Sequence, residues 1–151
     1  MPADMCGITT IWNKNGQPVD EPVIRAMTES LQHRGNDSFG IAFASESRLA
    51  MGHTRLAFLD LGSSGNQPLF NEDKRICAVV NGEIYNYREL RKELEGKGHV
   101  FASSTDSEVF VHAYETWGTR FVGKLKGMFA FSLFDSNKEV LLIGRDRYGI
   151  K

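Results

Sequence analysis

Met128-Phe129-Ala130-Phe131 puts apolar side chains on both faces of a prospective strand, and the apolar character runs on to Phe134. Successive strand residues point to opposite faces, so a sheet with one face in water would alternate polar and apolar positions. This stretch instead requires a sheet covered on both sides. Downstream, Ser136-Asn137-Lys138-Glu139 reads as a hairpin turn into a second apolar run, Val140 to Ile143. Upstream, runs of strand length recur at Cys6 to Trp12, Phe39 to Ala44, Leu49 to Leu59 and Ile76 to Val80.

Helical periodicity joins these runs in three places. Val23, Met27 and Leu31 follow Asp20 as a cap, with Pro22 in the first turn. Asn86 with Glu89 makes a capping-box-like start for a helix carrying Leu90 and Leu94. Thr105 with Glu108 repeats the device before Val109, Ala113 and Trp117, with Gly118 as the stop. Strands outnumber helices and are layered rather than alternating, which is an α+β pattern. No repeat, low-complexity tract or linker divides the chain, so a single domain is expected.

With 151 residues, 41% of them hydrophobic, the chain can bury a real core. Eighteen basic and nineteen acidic side chains leave a net charge of -1, which offers no field for nucleic acid or an anionic membrane surface. A small-molecule ligand is the expectation. Two cysteines suit a reducing compartment, and no apolar run approaches the roughly 20 residues needed to span a bilayer, so a soluble cytoplasmic protein is expected. The terminal Gly144 to Lys151 follows an apolar strand with no polar tail and reads as a domain cut short.

Several segments could carry chemistry. Cys6 heads the first strand and is followed by Gly7, where a ligand can approach the backbone closely, although a cysteine there reads more readily as a small core residue. Cys77 lies within an apolar strand and is read as core. Asn81-Gly82-Glu83-Ile84-Tyr85-Asn86 sets a carboxamide, a flexible backbone amide and a carboxylate at a strand end, as a plain turn or as a site. Arg34 and Arg55 are each able to grip a carboxylate with two parallel hydrogen bonds. His33, His53, His99 and His112 show no metal-ligand spacing, so ordinary hydrogen-bonded histidines and no metal site are expected. Leu61-Gly62-Ser63-Ser64-Gly65-Asn66-Gln67-Pro68 lacks the order of a phosphate cradle and reads as a plain loop.

Taken together, Met5-Cys6-Gly7-Ile8, His33-Arg34-Gly35 with Asp37, Arg55-Leu56, Asn81 to Asn86, Asp106 and Gly144 to Lys151 resemble the class II glutamine amidotransferases. Within them, Asn81-Gly82-Glu83-Ile84-Tyr85-Asn86-Tyr87 and Arg145-Asp146-Arg147-Tyr148-Gly149-Ile150-Lys151 look like the glutamine-hydrolysing domain of asparagine synthetases. The resemblance implies an N-terminal-nucleophile αββα sandwich of two antiparallel sheets. It implies that Cys6 attacks the glutamine amide, that a thioester forms and that water releases glutamate, with the α-amine of a leading cysteine as base. Asn81 and the Gly82 amide would form the oxyanion hole, Arg55 would hold the glutamine α-carboxylate, and Glu83 with Asp106 its α-ammonium. Arg34 and His53 would support them.

The same resemblance implies a C-terminal synthetase domain as partner, where ATP and magnesium would act and aspartate would accept the ammonia. It calls for no cofactor in this domain and leaves room for a homodimer. Residues 1–5 are expected to be an N-terminal extension and 6–151 a C-terminally incomplete amidotransferase domain, and Asn36 stands where asparagine synthetases usually have proline. The competing expectations are a non-catalytic glutamine-binding or interaction domain, and a relative with another ammonia acceptor.

Overall fold

A computed structural model describes residues 6–56 and 65–151. The extension expected at Met1 to Met5 lies outside them, as do the end of the run at 49–59 and the start of the loop at 61–68. The strands are β1 (Gly7–Trp12), β2 (Ser38–Ala44), β3 (Leu49–Arg55), β4 (Leu69–Phe70), β5 (Ile76–Ile84), β6 (Gly127–Asp135) and β7 (Val140–Arg145). The helices are α1 (Glu21–Glu29), α2 (Tyr87–Glu95) and α3 (Val109–Trp117). Short 3-10 segments cover Gln32–Arg34 and Gly118–Lys124.

Two antiparallel sheets form, in the orders β1-β3-β2 and β4-β5-β6-β7. Their strand periodicity sorts the core into three zones. Leu49, Met51, Cys77, Val79 and Phe134, with Ile8 and Trp12, fill the space between the sheets. The opposite residues of β5 and β6, Ala78, Val80, Phe129, Phe131 and Leu133, pack under α2 and α3. Ala50, with Ile11 and Ile41, packs under α1 through Ile24. The order helix, sheet, sheet, helices is thus the expected N-terminal-nucleophile sandwich. β6 is apolar on both faces because one face meets α3 and the other meets the first sheet.

The local devices that start the helices differ from the sequence expectation. No side chain caps α1, α2 or α3 in the capping-box sense. Asn86 instead donates to the Lys124 carbonyl at 3.0 Å and accepts from the Lys126 amide at 2.9 Å, clamping the approach to β6. Glu108 turns back to accept the Ala102 and Ser103 amides at 2.6 and 2.7 Å. Both side chains found stronger tertiary partners than their own helix ends. On α1 the buried ridge is Ile24 and Thr28, while Val23 and Met27 are exposed. Contact with β3 at Gly52 sets that rotation, since a Cβ at Gly52 would overlap the Thr28 hydroxyl.

Candidate functional site

Alternation places the site. In β3 the residues facing the second sheet are Leu49 and Met51, and the same parity carries His53 and Arg55 inward. In β5 the inward set of Cys77 and Val79 continues to Asn81 and Glu83. In β1 it is Ile8 and Trp12, and one step earlier Cys6. Gly7 pairs with Thr54 in antiparallel register, which sets Cys6 beside Arg55 and Leu56. Cys6, Arg55 and Asn81, far apart in sequence, therefore point into the gap between the sheets.

The Cys6 thiol accepts the Leu56 amide at 3.4 Å and donates to the Leu56 carbonyl at 3.7 Å. Arg34 supports it from behind, its Nε donating to the Cys6 carbonyl at 3.2 Å. Burial pushes the thiol pKa up; the Leu56 amide and the positive charges of Arg55 and Lys151 offset part of that rise. Such a thiol is not a standing thiolate and needs a base to react. Cys77 is core, as the sequence suggested, and burial pushes it up to about 12.

Arg55 is buried and donates through Nη1 to Asn66 Oδ1 at 3.0 Å. Gly65 lies against its guanidinium, where a Cβ would stand 2.5 Å from Nη2. Gln67 grips the β5 edge twice, accepting the Val80 amide at 2.6 Å and donating to the Val80 carbonyl at 3.0 Å. Residues 65–67, in the described end of the segment read as a plain loop, thus brace Arg55 and the strand that carries Asn81. Their one visible signal was the Asn66-Gln67 carboxamide pair beside a glycine.

Gly82 follows Asn81 with φ of 150°, and a Cβ there would overlap the Met128 carbonyl oxygen. Only glycine lets β5 turn at this point while staying paired with β6. Asp106 is buried and accepts the Ile84 amide at 2.6 Å. Burial raises its carboxyl pKa, the Ile84 bond lowers it in part, and the neighbouring Glu83 charge raises it further. Glu83 is thus near enough for its charge to be felt at Asp106.

Of the histidines, His33 (to the Ser30 carbonyl, 3.0 Å) and His99 (to Thr116 Oγ1, 2.8 Å) are ordinarily hydrogen-bonded. His53 differs: it is buried and, among the described residues, neither ring nitrogen has a partner in strict hydrogen-bonding geometry, although the Val80 backbone lies close by. Burial, aided by the Arg55 charge and opposed by the Val80 backbone, lowers its pKa to about 4, so it is neutral near pH 7. His99 and His112, separated in sequence, meet with ring centroids 5.0 Å apart. At the chain's end Asp146 gathers the amides of Tyr148, Ile150 and Lys151, each at 3.0 Å, in a hook that brings the Lys151 charge within influence of Cys6.

The described residues therefore set a thiol, a buried guanidinium, a buried carboxylate and the Asn81-Gly82 amides at these strand ends. The glutamine amidotransferase domain family matches residues 5–151. Asparagine synthetase [glutamine-hydrolyzing] 1 of Bacillus subtilis is 41% identical over 150 residues, covering 97% of this chain and 23% of that protein. The corresponding enzyme 1 of Arabidopsis thaliana is 42% identical over 147 residues, covering 97% and 24%. Amidase chry2 of Gibberella zeae is 38% identical, covering 97% and 23%. The chain thus spans about a quarter of the length of these relatives. The solved glutamine phosphoribosylpyrophosphate amidotransferase of B. subtilis shares the fold with a TM-score of 0.75 at 24% identity, over 95% of this chain and 38% of that one. On the match across residues 5–151 and these relatives, the chain belongs to the glutamine amidotransferase domain family.

Proposed function

We propose that the chain hydrolyses glutamine to glutamate and ammonia through a thioester on Cys6, as the glutaminase part of an asparagine synthetase. The observation that carries this reading is the convergence of Cys6, Arg55 and Asn81 on the inner faces of two sheets. The Cys6 sulfur attacks the side-chain amide carbon while its proton passes to a base and on to the departing ammonia; water then cleaves the thioester. Asn81 Nδ2 and the Gly82 amide stabilise the oxyanion. Arg55 pairs with the α-carboxylate and Glu83 with Asp106 takes the α-ammonium, so each substrate charge meets its opposite.

The base is the α-amine of Cys6 itself, released when residues 1–5 are removed. An α-amine titrates near 7.7–8.0, close to working pH, whereas an amide to Met5 is not basic. The amidotransferase domain then begins at Cys6. It needs no cofactor; ATP and magnesium belong to a synthetase partner domain, with aspartate as ammonia acceptor and the cytoplasm as setting. The names of the asparagine synthetase relatives support the acceptor. The likeness to Amidase chry2 supports the second reading, that the acceptor differs.

Forms beginning at Met1 and at Cys6 are compared in a glutaminase assay, with N-termini checked by mass spectrometry. Only the Cys6-first form is expected to turn over, and Cys6→Ala to abolish it. Equal turnover by the Met1 form, or by a Cys6-first form whose amine has been formylated, would exclude the α-amine as base.

A further inference from the structure

On the outer side of the second sheet, remote in the chain from Cys6, two carboxylates and two imidazoles converge. Glu72 comes from the loop between β4 and β5, His99 from the segment after α2, and His112 and Glu115 from α3. One ligand atom from each lies within 4.8 Å of all the others. His99 Nδ1 stands 3.1 Å from Glu72 Oε1 and 3.9 Å from Glu115 Oε2, and His112 Nδ1 stands 3.4 Å from Glu72 Oε2. Ligands bound tetrahedrally to one zinc ion at about 2.0–2.1 Å are about 3.3–3.5 Å apart, so small side-chain adjustments would close the set.

Apart from the His99 Nδ1–Glu72 Oε1 hydrogen bond, which an ion would replace, the hydrogen bonds around the cluster engage the outer imidazole atoms. His99 Nε2 is engaged by Thr116 Oγ1 at 2.8 Å and His112 Nε2 by Glu108 Oε1 at 3.4 Å. Outer partners of this kind fix an imidazole's tautomer and leave the other nitrogen's lone pair for a metal. Glu108 is itself held by the Ala102 and Ser103 amides and the Ser103 hydroxyl. The carboxylates are braced too: the Val100 amide donates to Glu72 at 2.8 Å and Asn71 Nδ2 to Glu115 at 3.0 Å. His112 Nδ1, fully buried, makes no hydrogen bond of good geometry among the described residues; its contact is Glu72 Oε2 at 3.4 Å, and an ion between the two would satisfy both. A cleft of about 300 Å³ lined in part by Asn71, Glu72, Val100 and Glu108 opens beside the group and gives an ion a way in.

We propose that Glu72, His99, His112 and Glu115 bind a zinc-class divalent cation. The ion joins three segments that the backbone leaves separate: the β4–β5 loop, the segment after α2, and α3. It also braces the Ser103–Glu108 turn through His112 and Glu108, and hence the approach to Asp106. Imidazole and carboxylate donors without thiolate favour zinc, and cobalt as its optical substitute.

The test uses the 151-residue chain with Cys6→Ala, so that no reactive thiolate competes, after treatment with a chelator. Cobalt is followed by visible absorption, and zinc by calorimetry and thermal unfolding. One equivalent of cobalt with a four-coordinate spectrum is expected, together with a rise in Tm with zinc. Glu115→Gln keeps an oxygen for Asn71 and so keeps the fold, yet is expected to weaken zinc at least 100-fold, as is His99→Gln. Thr116→Val, which touches no metal, is expected to weaken it about 10-fold, as loss of an outer partner does. Failure to bind one equivalent, a six-coordinate spectrum, or affinity unchanged in both Glu115→Gln and His99→Gln would overturn the site.

Discussion

Asn81 and Arg55 are both buried and both face the gap between the sheets, yet the proposed reaction asks different things of them. An oxyanion donor acts where charge develops, so Asn81→Ala is expected to lower kcat by ~10²–10³ with little change in KM. Arg55 acts on a charge present in the substrate throughout. Because Arg55 also holds Asn66, truncation to alanine would disturb the loop, and Arg55→Lys is the cleaner probe. Lysine keeps the charge but loses the two-pronged geometry, so KM is expected to rise at least 10-fold, about 1.4 kcal/mol, with kcat nearly kept. Steady-state kinetics showing the two patterns exchanged would reverse these roles.

At the scale of elements, β5 does two jobs: it is the central pairing partner in its sheet and it ends in the Asn81-Gly82-Glu83 corner. Gly82 makes the two compatible. A side chain there meets the Met128 carbonyl and a φ that L-residues avoid, so Gly82→Ala strains the corner by about 1–3 kcal/mol or forces β5 off β6. Urea unfolding is expected to show that loss together with a fall in glutaminase rate. Alanine tolerated with unchanged stability and rate would mean that the corner is not set by this glycine.

For the molecule as a whole, acid sensitivity follows most strongly from His53 and Asp146, with Glu108 and Asp135, also lowered, acting in the same sense. His53 takes up a proton near pH 6.5 when unfolded but only near 4 when folded. The unfolded state therefore binds more protons between these values, and stability falls as pH drops through the window, by on the order of 3 kcal/mol. Asp146, held to about 2 by the amides of Ile150, Lys151, Tyr148 and Phe129, has the same sign in a lower window, from the ordinary carboxylate range down to about 2. Asp106, whose carboxyl is raised by burial, acts in the opposite sense. Urea midpoints measured from pH 7 to 4 are expected to fall, and His53→Leu to remove most of the slope above pH 4.5. An unchanged slope in that variant would mean that His53 is protonated in the folded state.

Much of this architecture was written locally in the chain. Apolar runs on both strand faces called for covered sheets, and the ordered motifs from Met5 to Lys151 named the family, because strand periodicity and motif order are properties of neighbouring residues. Cys6 read locally as a core residue and Asn81-Gly82 as a turn or a site, and only the family resemblance gave them their proposed roles. What tertiary structure alone decided are pairings between distant residues. Asn86 and Glu108 abandoned helix capping because Lys124, Lys126, Ala102 and Ser103 offered better-placed partners. Gln67 became a clamp only once its loop lay along β5. His99 and His112 met Glu72 and Glu115 only when α3 packed beside the segment after α2. Sequence spacing carries no record of such contacts, since they depend on how the layers close over one another and on which polar groups that closure leaves without water.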